Sequence, residues 1–330
     1  MGRLGPAGWL DRAVAVSDRR PILLLVNPVS GGKMGSPPGL HPDPAALEPE
    51  ALLGALRARG LQVALRVLAE SDDVAELAAG AAAEGRDVVA SGGDGTIGPV
   101  AGALGRTDAA LGILATGSWN NVAAACGVPV ELEPALDVIG RGRTVQIDAG
   151  LAWHPADAER QDEEPPDDAI RFFEAAGVGL DAAGFGATQI QERRGWIAAG
   201  RSALRALRRR RTPMRLLVDG RRLRTAAPAV TVCNGPYMGM GFAIAPEADP
   251  TDGMLNVVVF SGMSRLDVLR HFAKVARHRP QREPRTNRLA ARRVTVTGAR
   301  RVLPAHADGQ SIGTTPVTFG IDRGALRVFR

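Results

Sequence analysis

The chain has 330 residues, which suits two domains better than one α/β layer. Hydrophobic residues make up 45% and charged residues 23%, so a chain disordered throughout is excluded. The net charge of +6 favours anionic partners and rests on Arg, since Lys33 and Lys274 are the only lysines. An aromatic content of 4% argues against a nucleic-acid binder that stacks bases, and no nucleic-acid partner is expected.

Residues 1–20 read as a leader: Asp11, Arg12 and Asp18 interrupt any targeting segment. Ile22–Val26 is a continuous aliphatic run bounded by Pro and Asn, the pattern of a buried parallel strand. A Gly/Pro-rich loop follows to about residue 44. Leu47, Leu52, Leu53 and Leu56 share one face of a helix over 45–59 that Gly60 stops. A strand is expected at 61–68, then a helix capped by Ser71. Asp87–Ala90 is a short strand, Thr96–Leu104 a helix, and Leu111–Leu114 another strand. This alternation predicts a doubly wound parallel sheet over 21–148, with 320–330 as a candidate completing segment.

After Asp148 the pattern changes. Residues 155–168 are acidic and Pro-bearing, as in a solvated loop. Short β-like runs follow at 170–175, 214–218, 229–233, 255–260, 293–297 and 316–319. Asp-Gly or Asn-Gly pairs at 219–220, 234–235, 252–253 and 308–309 read as turns between them. Residues 149–319 are therefore expected to form a mainly antiparallel β domain, interrupted by helices near 195–209 and 264–277. Cys126 and Cys233 are too few for a disulfide framework and read as core residues. No run of 18 apolar residues is present, so cytoplasmic placement is expected.

Three motifs carry chemistry. Asn27-Pro-Val-Ser30-Gly31-Gly32-Lys33 follows a strand, and its glycines can turn N–H groups toward an anion. It is not a Walker A loop, and by itself it could be a plain βα turn. Ser91-Gly92-Gly93-Asp94-Gly95-Thr96 links a buried strand to a helix, a phosphate-binding arrangement in which Asp94 suggests Mg2+ chemistry. Gly93, Gly95 and Gly98 also match the dinucleotide fingerprint, but no acidic residue lies about 20 positions on. In the third motif Thr116, Gly117, Ser118, Asn120 and Asn121 follow the strand at Leu111–Leu114 with small polar groups, suiting a site at the carboxyl edge of the sheet.

In this order the motifs resemble the diacylglycerol kinase catalytic family, which includes bacterial lipid kinases and sphingosine and ceramide kinases. The resemblance implies that Asn27, Ser30, Gly31, Gly32, Gly92, Gly93, Gly95, Thr96, Gly117, Ser118 and Asn120 line the site of ATP. It implies that Asp94 and Asp148 complete a Mg2+ network, and that Asp308 is the catalytic base. It also implies that Asp249, Asp252 and the Met254 carbonyl form a structural metal loop. Each aspartate also fits a turn or a strand end. The chain departs from the family at Gly98 and Pro99, at Asn121 in place of an Asp, and at Gln310 in place of a Glu.

The expected activity is ATP-dependent phosphorylation of a lipid hydroxyl, of diacylglycerol or a similar lipid. A kinase of nucleotides like NAD kinase and a non-catalytic nucleotide- or lipid-binding relative are the alternatives. The Arg-dense segment 193–224 suggests an anionic membrane surface as partner and peripheral association with its inner face. A solvated helix face is the equal alternative. A homodimer is left open.

Overall fold

The structure is a computed structural model that describes residues 19–30, 47–179, 212–239, 241–261, 267 and 285–330. Gly31, Gly32, most of the leader and of the loop to residue 44, the 193–211 part of the Arg-dense segment, the helix expected at 195–209 and all of the one expected at 264–277 except Asp267 lie outside the described residues. In chain order the elements are β1 (Ile22–Val26), α1 (Pro49–Ala58), β2 (Val63–Val67), α2 (Val74–Ala83), β3 (Asp87–Gly92), α3 (Asp94–Leu104), β4 (Ala110–Ala115), α4 (Asn121–Ala125), α5 (Leu132–Arg141) and β5 (Thr144–Trp153). Then come β6 (Ile170–Phe172), β7 (Ala175–Gly179), β8 (Thr212–Val218), β9 (Arg221–Ala227), β10 (Ala229–Cys233), β11 (Tyr237–Met238), β12 (Phe242–Ala243) and β13 (Leu255–Val259). The last five are β14 (Asn287–Ala291), β15 (Arg293–Gly298), β16 (Pro304–Ala307), β17 (Gln310–Thr314) and β18 (Val317–Phe329).

Strands β2, β1, β3 and β4 run parallel in that order. Successive side chains of a strand point to opposite faces, and β1 shows the result. Leu24 and Val26 pack with Leu52, Leu56, Leu136 and Ile139 of α1 and α5, whereas Leu25 packs with Val100, Leu104 and Val122 of α3 and α4. Helices thus cover both faces, as parallel strands buried on both sides require.

β18 is far longer than the run expected at 316–319. It pairs antiparallel with β5 along most of its length and with β15, and Arg327 and Val328 then run parallel to β4. A bulge between Asp322 and Leu326, with Gly324 at φ 59°, lets the strand bend from the β-rich half back to the parallel sheet. The second half is a sandwich. A sheet ordered β14-β13-β10-β7-β16-β17 faces β15, β8 and the start of β18 across a core that includes Val230, Val257, Ala305, Val294, Val296 and Phe319.

Four local readings change. Asp73, not Ser71, caps α2, accepting from the N–H groups of Ala75 and Glu76. The run at 170–175 is two strands in different sheets, because Phe173, Glu174 and Ala175 give their N–H groups to Asp308 instead of continuing β6. Asn234-Gly235 is not a hairpin turn: Asn234 is buried, and its side-chain amide donates to the carbonyls of Asp148 and Phe173. The acidic loop is pinned through Gln161, whose side chain bonds Leu217 O and Gly220 N.

Candidate active site

The three N-terminal motifs meet at the carboxyl ends of β1, β3 and β4. The Asn27 amide donates to Thr96 Oγ1 at 2.9 Å, and the Thr116 hydroxyl donates to Ser30 Oγ at 3.0 Å. Thr116 N–H donates to Gly92 O at 3.0 Å. The loops then touch backbone to backbone. A Cβ placed on Gly117 would lie 2.3 Å from Gly93 Cα, and one on Gly92 would lie 2.6 Å from Thr96 Cβ. Only glycine permits that approach.

Helix α3 begins at this junction with Gly93 as its N-cap and no side chain capping it. Its first-turn N–H groups and dipole make an anion site between the glycine loops. This cradle fits the phosphates of a nucleotide, which the backbone at 92–95 would hold, with Gly117 packed against it and Ser30 and Thr116 at its edge.

Asp94 is the first residue of α3, but its carboxylate turns toward α4. Oδ1 accepts from Val122 N–H at 3.0 Å, and the N–H groups of Asn120 and Asn121 also support the carboxylate. Burial raises its pKa above the ordinary carboxylate value, and these N–H groups offset part of the rise. Asn120 has a left-handed backbone, φ 53°, and its side chain bonds both N–H and C=O of Gly117 at 3.0 Å. That clasp fixes the turn Gly117-Ser118-Trp119 above β4.

Asp308 stands on the other half of the molecule, in the turn between β16 and β17. Its φ of 42°, followed by Gly309 at 75°, is the left-handed pair of a tight hairpin. Its carboxylate accepts three backbone bonds, from Phe173 at 2.7 Å, Glu174 at 3.0 Å and Ala175 at 3.1 Å. Burial pushes its pKa up to about 6, against the opposing pull of these N–H groups and of His306.

Glu174 joins the two sides and was not picked out from the sequence. It is buried, and Oε2 accepts from the Asn121 side chain at 3.0 Å and from Gly239 N–H at 3.1 Å. Burial, with repulsion from Asp94 and then Asp308, holds its pKa well above the ordinary value. Asp94 and Asp308 therefore both lie within electrostatic reach of Glu174. A lone Glu in Phe-Phe-Glu-Ala-Ala gives no motif, and only the fold brings it there. Positive charge nearby would relieve these crowded carboxylates, which are not placed to hold a metal ion by themselves.

Asp148 takes a different position. Its oxygens accept from Gly324 N–H at 2.7 Å and Gly253 N–H at 2.8 Å, while its own N–H donates to Pro250 O. It ties β5 to the bulge of β18 and to the 249–254 loop. In that loop Asp249 Oδ1 accepts from Thr251 N–H and hydroxyl, and Asp252 Oδ1 accepts from Met254 N–H. These are turn bonds. Among the described residues no group of three or more His, Cys, Asp or Glu side chains is placed to hold a metal ion.

Comparison with known proteins agrees with this architecture. Residues 21–152 match the diacylglycerol kinase catalytic domain, and residues 175–330 match the YegS C-terminal NAD kinase beta sandwich-like domain. A protein of Mycobacterium tuberculosis named diacylglycerol kinase is 29% identical over 282 residues, covering 83% of this chain and 87% of that one. A protein of Cronobacter sakazakii named "Probable lipid kinase YegS-like" is 31% identical over 229 residues, covering 65% of this chain and 70% of that one. The crystal structure of a diacylglycerol kinase from Bacillus anthracis superposes with a TM-score of 0.66 at 18% identity over 94% of this chain and 97% of that chain, a likeness of fold. Two domain matches that together run almost from end to end, and this relative at 31%, place the chain in the diacylglycerol kinase and YegS-like lipid kinase family.

Proposed function

We propose that the protein transfers the γ-phosphoryl group of ATP to the hydroxyl of a lipid, diacylglycerol or a lipid like it. The observation that carries the reading is the glycine cradle on the parallel sheet, linked through Asn121 and Glu174 to Asp308 on the other half. The backbone at 92–95 holds the phosphates, and Gly117 closes the cradle against Gly93. Mg2+, when bound, would supply positive charge against the phosphates, and Asp94 and Glu174 are the carboxylates that would hold it together with the phosphate oxygens. The lipid oxygen forms a bond to the γ-phosphorus as the bond to the β–γ bridging oxygen breaks. The hydroxyl proton passes to Asp308, and ADP leaves. A pKa near 6 leaves Asp308 ionised at neutral pH and a better proton acceptor than an ordinary carboxylate. Positioning supplies most of the acceleration, because a loose phosphoryl-transfer transition state asks little of the base.

We further propose peripheral contact with an anionic membrane. The described part of the Arg-dense segment supports it: Arg215, Arg221, Arg222 and Arg224 are exposed on β8 and β9. Among the described residues no helix is long and apolar enough to cross a membrane. Each Arg near an anionic surface contributes about 1 kcal/mol. Sedimentation with phosphatidylglycerol vesicles should show binding at low salt that weakens at high salt; no binding at low salt removes the idea.

The test of the activity is transfer of labelled γ-phosphate to diacylglycerol, phosphatidylglycerol, a sphingoid base and a polyprenol in mixed micelles, with NAD as rival acceptor. Lipid label that EDTA abolishes is the expected result. Label on NAD alone would move the substrate to a nucleotide. ATP binding without label on any acceptor would make the chain a binding relative.

A further inference from the structure

The seam between the two halves holds a carboxylate that the proposed chemistry does not require as proton acceptor. Glu174 lies between β6 and β7, with a relative exposure of 7%. Its backbone N–H supports Asp308, and its side chain crosses to the other half to meet Asn121 at the start of α4. Asn121 is itself buried, and its amide is shared between Glu174 Oε2 and Gly239 O, the latter at 2.6 Å.

Holding Asn121 and Gly239 does not need a charge. The amide oxygen of a glutamine would accept both bonds in the same geometry. What the carboxylate adds is negative charge in a poorly solvated place, beside Asp94 and Asp308, where charge costs stability. Such a cost persists when a ligand offsets it. Position 121 supplies the second observation. The buried Asn there donates its side-chain amide to the Glu174 carboxylate while its backbone N–H supports Asp94, so one residue links the two acids.

We propose that Glu174 is a positioning carboxylate of the kinase cleft, supplying from the β-rich half the negative charge that position 121 lacks. In this arrangement Asn121 and Glu174 act as one hydrogen-bonded unit, with the charge on its far side. The unit sets the cleft's affinity for the Mg2+ form of the nucleotide and holds the two halves in register through Gly239. The inference rests on the lipid-kinase reading only in assuming that Mg2+ and ATP occupy the cleft.

The arrangement predicts opposite signs for stability and binding. Glu174→Gln should melt no lower than the parent chain, because repulsion is removed while both bonds can persist. Its ATP affinity in Mg2+, read by calorimetry, should fall about tenfold, while the weaker affinity in EDTA stays the same. Asn121→Asp alone should also weaken binding and lower the melting temperature without Mg2+, since it sets two carboxylates in contact. Asn121→Asp combined with Glu174→Gln should return the Mg2+-dependent affinity to within about threefold of the parent. A Glu174→Gln chain with the parent's Mg2+ dependence, or a double variant no better than Glu174→Gln, would overturn the proposal. A parent chain that binds ATP with Mg2+ but labels no lipid would end the lipid-kinase reading while leaving these binding results to decide on Glu174. A parent chain that does not bind ATP with Mg2+ would overturn both.

Discussion

Replacing Gly117 by Ala tests the claim that the phosphate cradle depends on two loops touching through their backbones. The added Cβ would stand 2.3 Å from Gly93 Cα, 2.9 Å from Asn120 Oδ1 and 3.2 Å from Gly93 N. Ordinary contact begins near 3.4 Å, so the loops must part by about 1 Å. The nearest neighbour is main chain at the end of β3, not the flexible tip of a side chain, and it cannot swing aside. Overpacking of this kind costs about 2–3 kcal/mol, or about 5 °C in melting temperature. The functional cost is larger than the loss of stability, because the shift falls on the groups that hold the phosphates. A misplacement of about 1 Å lowers the rate of transfer about 100-fold. The assays are thermal melting, ATP affinity by calorimetry and γ-phosphate transfer to lipid. Gly54→Ala is the control, since a Cβ there meets nothing within 4 Å and the helix gains about 0.5–1 kcal/mol. A Gly117→Ala chain that melts, binds ATP and turns over like the parent would refute the contact as the basis of the cradle.

The remaining predictions concern two aspartates. If Asp308 must be ionised to accept the lipid proton, kcat/KM should fall below a midpoint near pH 6; Asp308→Asn should stop transfer while ATP affinity stays near that of the parent. The same raised pKa carries a stability signature of the opposite sense. The folded state binds this proton more tightly than the unfolded chain, so the contribution from Asp308 is fully present below about pH 4 and is lost as pH rises through about 6. Chemical denaturation across that window should show the parent losing a component that Asp308→Asn lacks. Asp148→Ala leaves the N–H groups of Gly253 and Gly324 without their acceptor and should cost about 3 kcal/mol, read as a lower denaturation midpoint. An unchanged midpoint would return Asp148 to a purely chemical role.

The parallel half of the molecule was legible because its signals are local. Continuous aliphatic runs, helical spacing around Leu52 and Leu56, and glycine loops after strands each state their own structure within a few residues. The β-rich half was read only as a set of short runs. β5 and the full length of β18 were missed, since Gly150, Gly320 and Gly324 look like breaks until each strand is seen to be the other's partner. Turn pairs were correct where backbone twist alone decides, as at Asp219-Gly220 and Asp308-Gly309. The same reading failed at Asn234-Gly235, where burial between Asp148 and Phe173 decides instead.

By itself the sequence determined the order of the motifs, the doubly wound half, and the residue types that a phosphate cradle and a base require. Only the tertiary structure decided which carboxylates come together. Asp94 and Asp308 are 214 positions apart and Glu174 belongs to no motif, yet folding brings all three within electrostatic reach. Asp148, equally acidic in sequence, is spent on the N–H groups of Gly253 and Gly324. The reason is that a carboxylate's function depends on what surrounds it in space, and those neighbours are set by strand pairing over long separations, which local pattern does not encode.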